Sequence, residues 1–526
     1  MIDLARLNVR DFFGGAIAET PGSSFLVFTG DDREWSYRDA GAEITRAAAA
    51  WHSLGVGKGD RVAFMLDNSP QFVWAWLGLA SIGGVLVAIN TGFKTSEAEY
   101  LVRDSGARFV LAGDEHVEVL RGVQAALPEV AVLHGDAGTE SFTALMEAEL
   151  DPAPHVELSG DDVISLIYTS GTTGNPKGVM QTHRNFVLTG QAYVDWMHME
   201  RGDRIYACLP LFHINSQAYS TMAAIAARGA MVLSPRFSAS RFWSEVRRHR
   251  VTVFNFIGAM ALILTKSEPS ADDADNAVRI AYGVPTLATE VVDAIEHRFG
   301  LRCISGFGMS ETTFGLLEPL DQPRRPGSMG IERHHPDPMV PRTQAKIVDG
   351  DGVEVPRGTA GELLLKNAAM MLGYFGRPAK TAETLIDGWL HTGDSAYQDE
   401  DGFFFFVDRM KDIVRRRGEN ISSLEVERTV ARHPHIAEAA VIGVPAELSD
   451  EELLVFVVPR DPGEPVTADE VFVWAAEHLA DFKVPLYVRL IGELPKTATA
   501  KVQKEKLRAI DADDRSGRIE RAGARR

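Results

Sequence analysis

The sequence predicts an α/β protein: a large N-terminal domain of βα-layered sheets with a β-rich subdomain, then a small C-terminal α+β domain, which the family resemblance described below implies is mobile. Three observations carry this. Helical patterns alternate with short apolar runs through residues 36–110 and again through 162–310, the rhythm of a mostly parallel sheet. Strand-like runs within 343–366 follow one another with no helix between them. After "FFFFVDRMKD" the pattern turns to short mixed elements. A chain of 526 residues suffices for about two to four domains, and the division is expected at 1–410 and 411–526.

The first repeat joins "RDAGAEITRAAAAWHSLG" to "RVAFML" and "ARFVLA". Within it, "FVWAWLGLASIGGVLVAI" (72–89) has the length of a membrane span. Gly83-Gly84 would interrupt a helix there, and the second half is rich in β-branched residues. It reads as a buried helix followed by a buried strand, and no integral membrane span is expected. The second repeat supplies "DVISLIYTS", "RIYACLPL", "MVLSP", "VTVFNFIG", "VRIAYG" and "RCISGFG". "TQAKIVD" and "AGELLLKN" form the β-rich layer, and the polar tail "DADDRSGRIERAGARR" is expected to be loose.

Composition narrows the function classes. The net charge of −19 argues against a nucleic-acid partner, so any positive charge that meets a phosphate must be local. Two cysteines, Cys208 and Cys303, stand far apart in no metal-binding spacing, which suits a reducing, cytoplasmic setting. The opening "MIDLARLNVRDFFGG" lacks the apolar core of a signal peptide.

"YTSGTTGNPKG", residues 168–178, follows the strand "DVISLIYTS", and the helical pattern "THRNFVLTGQAYVDWM" comes next. It reads as a strand-to-helix loop built for an anion. Gly171, Gly174 and Gly178 let backbone N–H groups approach a ligand closely. Thr169, Ser170, Thr172 and Thr173 add hydroxyl donors, and Lys177 adds charge. The spacing is not that of the Walker A loop.

This loop resembles the phosphate loop of the adenylate-forming superfamily, which comprises acyl-CoA ligases, peptide-synthetase adenylation domains and beetle luciferases. The resemblance recurs in order along most of the chain. "LPLFH" (209–213), "GFGMSETT" (306–313), "GELLL" (361–365), "GWLHTGD" (388–394), "DRMKDIVRRRGENISSLEVE" (408–427) and "LPKTATAKVQKEKLR" (494–508) all match. Within the superfamily the sequence is most similar to acyl-CoA ligases of the crotonobetaine/carnitine and medium-chain type.

The resemblance implies a two-step reaction. A carboxylic acid attacks the α-phosphorus of ATP to give acyl-AMP, and the thiol of CoA then displaces AMP. Thr169, Ser170, Gly171, Thr172, Thr173, Gly174 and Lys177 are implied at the β- and γ-phosphates, and Glu311 at Mg²⁺, for which a hard carboxylate oxygen is suited. "GFGMS" is implied as the adenine platform: Phe307 stacks, followed by Gly308, Met309 and Ser310, without the phenol hydroxyl the family usually carries there. Asp394 and Arg409 are implied at the ribose. Lys501 is the cation that would align carboxylate and α-phosphate. Ala500 precedes it where the family usually has glycine, which puts adenylation in question.

For the second step the small domain would swing about a hinge at Lys411. Arg415, Arg416, Arg417 and Gly418 would then meet CoA, against the plainer reading of a strand with solvated arginines. His213 is implied beside the acyl carboxylate and argues for a simple acid. The acyl pocket would draw on Asn215, Ser216, Gly258, Ala259, Gly283, Val284 and Gly306, whose small size points to a roomy site. The partners are therefore ATP, CoA and a carboxylic acid, with a homodimer left open. Three alternatives stand beside the ligase. One is a variant that only forms thioesters from supplied acyl-AMP, another an adenylation enzyme loading a carrier protein, and the last a non-catalytic nucleotide sensor.

Overall fold

The computed structural model describes residues 3–135, 141–169, 176–284, 288–416, 419–445, 451–461, 463, 466–497 and 501–521, with the side chains of Arg415, Glu419, Asn420 and Phe482 left aside. The chain forms two compact units. One comprises 1–345, 365–391 and 402–404, and the other 346–364, 392–401 and 405–526. The expected boundary at 410/411 differs from this partition, because the β-rich stretches 346–364 and 392–401 are grouped with the C-terminal residues.

The first unit is α/β. One sheet runs in the order 373–374, 177–182, 163–169, 85–88, 61–65, 109–112 and 131–134. Its inner strands are parallel, as the βα repetition requires. A second run of strands orders 33–36, 24–28, 230–233, 204–207, 253–257, 280–284 and 302–309, and then turns antiparallel through 312–317 and 328–332. The apolar stretch at 72–89 is a helix, Pro70–Ser81, capped by Ser69, and then the buried strand Val85–Ala88. Gly83, at φ +78°, makes the turn between them. Among the described residues no helix is long and apolar enough to cross a membrane.

One local reading is corrected. Lys177–Thr182 is a strand paired antiparallel with Val163–Thr169, so the glycine-rich loop joins two strands, and the helix His183–Trp196 begins only afterwards. The pairing is tertiary, and no alternation in "KGVMQT" announces it.

The second unit is α+β. The long hairpin Ile436–Pro445 and Glu451–Pro459 is extended by the parallel strand Tyr487–Leu490 and by Ile519–Glu520. Helices Ser423–Val430 and Ala468–His478 pack their apolar sides with one face of it, through Val426, Val430, Val471 and Phe472.

Candidate active site

In the first unit, strand Arg302–Met309 delivers Phe307, Gly308 and Met309 to its C-terminal end. The chain turns at Ser310 and Glu311 and returns as Thr312–Leu317, with Met309 opposite Thr312. The Gln181 amide holds this turn by donating to the Ser310 carbonyl at 2.5 Å. Glu311 is buried, and its Oε1 accepts from the Tyr374 hydroxyl at 2.8 Å. The Lys177 ammonium lies 4.6 Å from the centre of the Tyr374 ring. Tyr374 thus stands between an acid and a base recruited from distant parts of the chain. Desolvation, and next the neighbouring Lys380, hold the Lys177 pKa below its usual range, against the opposite pull of Glu311. Thr169 faces Lys177 across the strand pair. Ser170, Gly171, Thr172, Thr173 and Gly174 lie outside the described residues.

His213 packs against Phe212 at 4.6 Å between ring centres and just precedes a π-helical turn, Asn215–Thr221. Burial drives its pKa down to about 4, so the imidazole is neutral at physiological pH. The π-helical turn carries Tyr219 inward. Tyr219 donates to the Thr313 carbonyl at 2.6 Å, and its hydroxyl oxygen would stand 3.2 Å from a side chain begun at Gly308. Irregular helix of this kind often marks functional ground.

A narrow cavity opens here, lined by Tyr193, Trp196, Tyr219, Tyr282, Phe307 and Arg333, with Thr313 and residues 315–317. Its volume is about 10 Å³, room for about one water molecule. The three tyrosine rings lie 5.3–6.0 Å apart, centre to centre. Of the residues predicted for the acyl pocket, none lines this cavity directly. Asn215 accepts from Asn255, Ser216 donates to the Leu209 carbonyl, and Gly258 and Ala259 begin a helix. The bare face of Gly283 is filled by the Phe256 ring, 2.2 Å from where a Cβ would sit, and that of Gly306 by Leu317 and Tyr282. Val284 ends its strand, half-buried against the core. At Gly283 and Gly306 the missing side chain makes room for these neighbours. Sequence reasoning missed the lining tyrosines, Trp196 and Arg333.

The second unit carries the other cluster. Thr392 donates to the Leu363 carbonyl and accepts from the Asp394 N–H, while Gly393, at φ +69°, gives its N–H to Glu362. These contacts place Asp394, which is 1% exposed, so that its Oδ1 meets Arg409 Nε at 2.8 Å. Lys501 sits on a loop closed by Thr497, whose N–H donates to the Lys501 carbonyl and whose hydroxyl accepts from the Lys501 N–H. Desolvation of the ammonium, then Arg409, lower its pKa, and Asp394 pulls the other way. One cation is therefore felt by both members of the Asp394–Arg409 pair. Ala500 lies outside the described residues.

Lys411 is anchored through its carbonyl, which accepts from Arg508, and its ammonium is 3.9 Å from Glu505. Arg416, expected at CoA, is 4% exposed and engaged by Glu452 at 2.5 Å and by the Val484 carbonyl at 3.0 Å. That inward pairing does not offer its guanidinium to a phosphate. Arg417 and Gly418 lie outside the described residues, as does the Arg415 side chain.

The ordered spacing of these clusters matches a known pattern. Residues 14–375 fit the family model described as "AMP-binding enzyme", and 425–501 fit that of the "AMP-binding enzyme C-terminal domain". The chain belongs to the AMP-binding enzyme family. Relatives in that family include the crotonobetaine/carnitine–CoA ligases of Escherichia coli, 36% identical over 90% of this chain and 93% of theirs, and of Proteus mirabilis, 36% identical over 96% and 99%. Among solved structures, an anthranilate CoA ligase in complex with anthranoyl-AMP matches with a TM-score of 0.85 at 27% identity, over 98% of this chain and 99% of that one. ATP-bound MatB from Rhodopseudomonas palustris gives 0.85 at 26%, over 96% and 99%.

Proposed function

We propose that the protein is an AMP-forming acyl-CoA ligase, joining a carboxylic acid to CoA through acyl-AMP. The observation that carries this is the Asp394–Arg409 pair, which lies in the same compact unit as Lys501. In this reading Asp394 would accept from ribose hydroxyls and Arg409 would donate there. Lys501 beside them can bring carboxylate and α-phosphate together and offset the charge that develops between them.

The cluster in the first unit serves the triphosphate. Thr169 and Lys177 flank the glycine-rich loop, and Phe307 presents a ring for the adenine. Glu311 is the residue that would hold Mg²⁺. A buried carboxylate with one oxygen fixed by Tyr374 suits a hard cation shared with phosphates. When bound, that ion would neutralise phosphate charge. Neutral His213 can neighbour a carboxylate without binding it as a counter-ion. Cys208 and Cys303, both buried and unbridged, fit a reducing cytoplasm.

The test is to incubate enzyme, ATP and a panel of acids with and without CoA, following pyrophosphate and acyl-CoA. Acid-dependent pyrophosphate release without CoA, and acyl-CoA only with it, are expected. Lys501→Ala should slow pyrophosphate release by roughly 100-fold or more. Conversion of supplied acyl-AMP without any pyrophosphate release would identify the thioester-only variant. A carrier protein accepted in place of CoA would identify the loading enzyme, and no acid-dependent release from any acid would overturn the ligase.

A further inference from the structure

Two residues of the helix Thr95–Ser105 reach the ends of the glycine-rich loop. Tyr100 and Asp104 stand four positions apart and so share one face of that helix. The Tyr168 hydroxyl, just before the loop, donates to Asp104 Oδ2 at 2.9 Å. The Tyr100 hydroxyl donates to the carbonyl of Pro176, near the loop's far end, at 3.1 Å and lies 3.4 Å from Asp104 Oδ1. One helix face therefore holds both ends of the loop. Tyr168 also stands opposite Gly178 in the strand pair, and its ring covers that residue's bare face, 3.1 Å from where a Cβ would sit.

A third stretch of chain meets the same carboxylate. The Arg377 guanidinium pairs with Asp104 Oδ1. Arg377 gives its N–H to the Tyr374 carbonyl at 3.1 Å, and the Phe375 N–H donates to the Gly178 carbonyl at 2.8 Å. Tyr374 is the residue whose hydroxyl fixes Glu311 and whose ring lies by Lys177. The Asp104 side chain is only 8% exposed, yet its own helix gains nothing from it. A carboxylate in the last turn opposes the helix dipole, and aspartate is a weak helix former. What favours the acid here is the set of donors it gathers from outside the helix.

We infer that Asp104 is a positioning residue for triphosphate binding. With Tyr100 it fixes both ends of the glycine-rich loop, and through Arg377 it fixes the segment that carries Tyr374, so that Lys177 and Glu311 meet the same ligand. This rests on the reading of that loop as the triphosphate site of a ligase. Asp104 acts through these residues and touches no substrate. A loop with both ends held loses less freedom when it binds, and its donors are set before the ligand arrives. The benefit falls on the β- and γ-phosphates, which the loop serves, and not on AMP.

The experiment measures MgATP and AMP binding by calorimetry for the full-length protein and its Asp104→Ala, Asp104→Asn and Tyr100→Phe variants. Pyrophosphate release and the conversion of pre-made acyl-AMP with CoA are followed alongside. Asp104→Ala should raise the Kd for MgATP about tenfold and leave that for AMP within about threefold. The KM for MgATP in pyrophosphate release should rise in parallel, while acyl-AMP conversion stays within about threefold. Asp104→Asn keeps an acceptor oxygen for Tyr168 and gives up the charge that Arg377 pairs with, so its Kd should fall between the two. Tyr100→Phe loses only the hydroxyl at Pro176 and should raise the MgATP Kd about threefold. If Asp104→Ala does not fold, the other two variants carry the decision by the same pair of constants. Equal weakening of MgATP and AMP would reduce Asp104 to general support of the fold and overturn the inference. Unchanged MgATP binding in the folded variants would overturn it too. A wild type that binds MgATP but releases no pyrophosphate with any acid would end the ligase reading alone, and the Kd comparison would still decide Asp104.

Discussion

Glu311 shows how a single side chain acquires a role from partners distant in sequence. Its carboxylate is buried, and the Tyr374 hydroxyl takes up one oxygen while Lys177 stands over the ring of the same tyrosine. Glu311→Gln keeps the shape and removes the charge that a divalent cation needs. We expect acid-dependent pyrophosphate release to fall by more than about 100-fold and the Mg²⁺ requirement to move to higher concentration. Tyr374→Phe keeps the ring beneath Lys177 and loses one hydrogen bond to a charged group. It should raise the KM for MgATP by about tenfold. Pyrophosphate release measured across a Mg²⁺ titration checks both, and a Glu311→Gln enzyme with the wild-type Mg²⁺ curve would remove Glu311 as a ligand. Glu311 is legible in the sequence through "SETT", but Tyr374 is not. Nothing within ten residues of Tyr374 signals that its hydroxyl is aimed at position 311.

At the scale of elements, the strand Val414–Arg416 turns on simple alternation. Side chains two apart share a face. Val414 is 1% exposed, so Arg416 falls on the buried side, where Glu452 receives it. The alternation is present in "DIVRRRGEN" but is masked by the abundance of arginine. Arg416→Ala abandons a buried carboxylate and should cost about 3–5 kcal/mol of stability, measurable as a lower denaturant midpoint. Arg416→Met with Glu452→Leu removes both charges and should recover most of it. The KM for CoA of the folded single variant should match the wild type. A raised KM at unchanged stability would return Arg416 to the CoA site. The glycine-rich loop misleads for a related reason. Its strand context is readable, but the strand Lys177–Thr182 depends on pairing with 163–169, and sequence pattern reports periodicity better than partners. The aromatic cavity is the least legible part. Tyr193, Tyr219, Tyr282 and Arg333 come from separate elements, and an aromatic residue inside a buried run looks the same whether it packs or lines a cavity.

Over the whole molecule, the order of motifs from 168 to 508 reveals the family and the α/β class, whereas the division of the chain does not follow a single cut. Residues 346–364 and 392–401 group with the C-terminal part, so Asp394, Arg409 and Lys501 share one compact unit. In the proposed ligase, these three together serve the attack on ATP. Thioester formation asks for something else, because the site must admit a thiol after pyrophosphate has left. The family resemblance assigns that change to rotation about Lys411. The local structure makes the test clean. The Lys411 N–H donates no hydrogen bond among the described residues, whereas Met410, Asp412 and Ile413 all use theirs. Proline at 411 therefore sacrifices no backbone bond while fixing φ near −65° and restricting residue 410. If rotation about this residue is needed only for the second step, Lys411→Pro should leave acid-dependent pyrophosphate release within about threefold of wild type, a difference of roughly 0.65 kcal/mol. Conversion of pre-made acyl-AMP and CoA to thioester should fall by at least about tenfold, roughly 1.4 kcal/mol. Single-turnover measurement of each step on the same preparation decides the matter. Equal loss in both steps would show that Lys411 only supports the loop it shares with Asp412 and Arg508, and that the enzyme changes shape elsewhere.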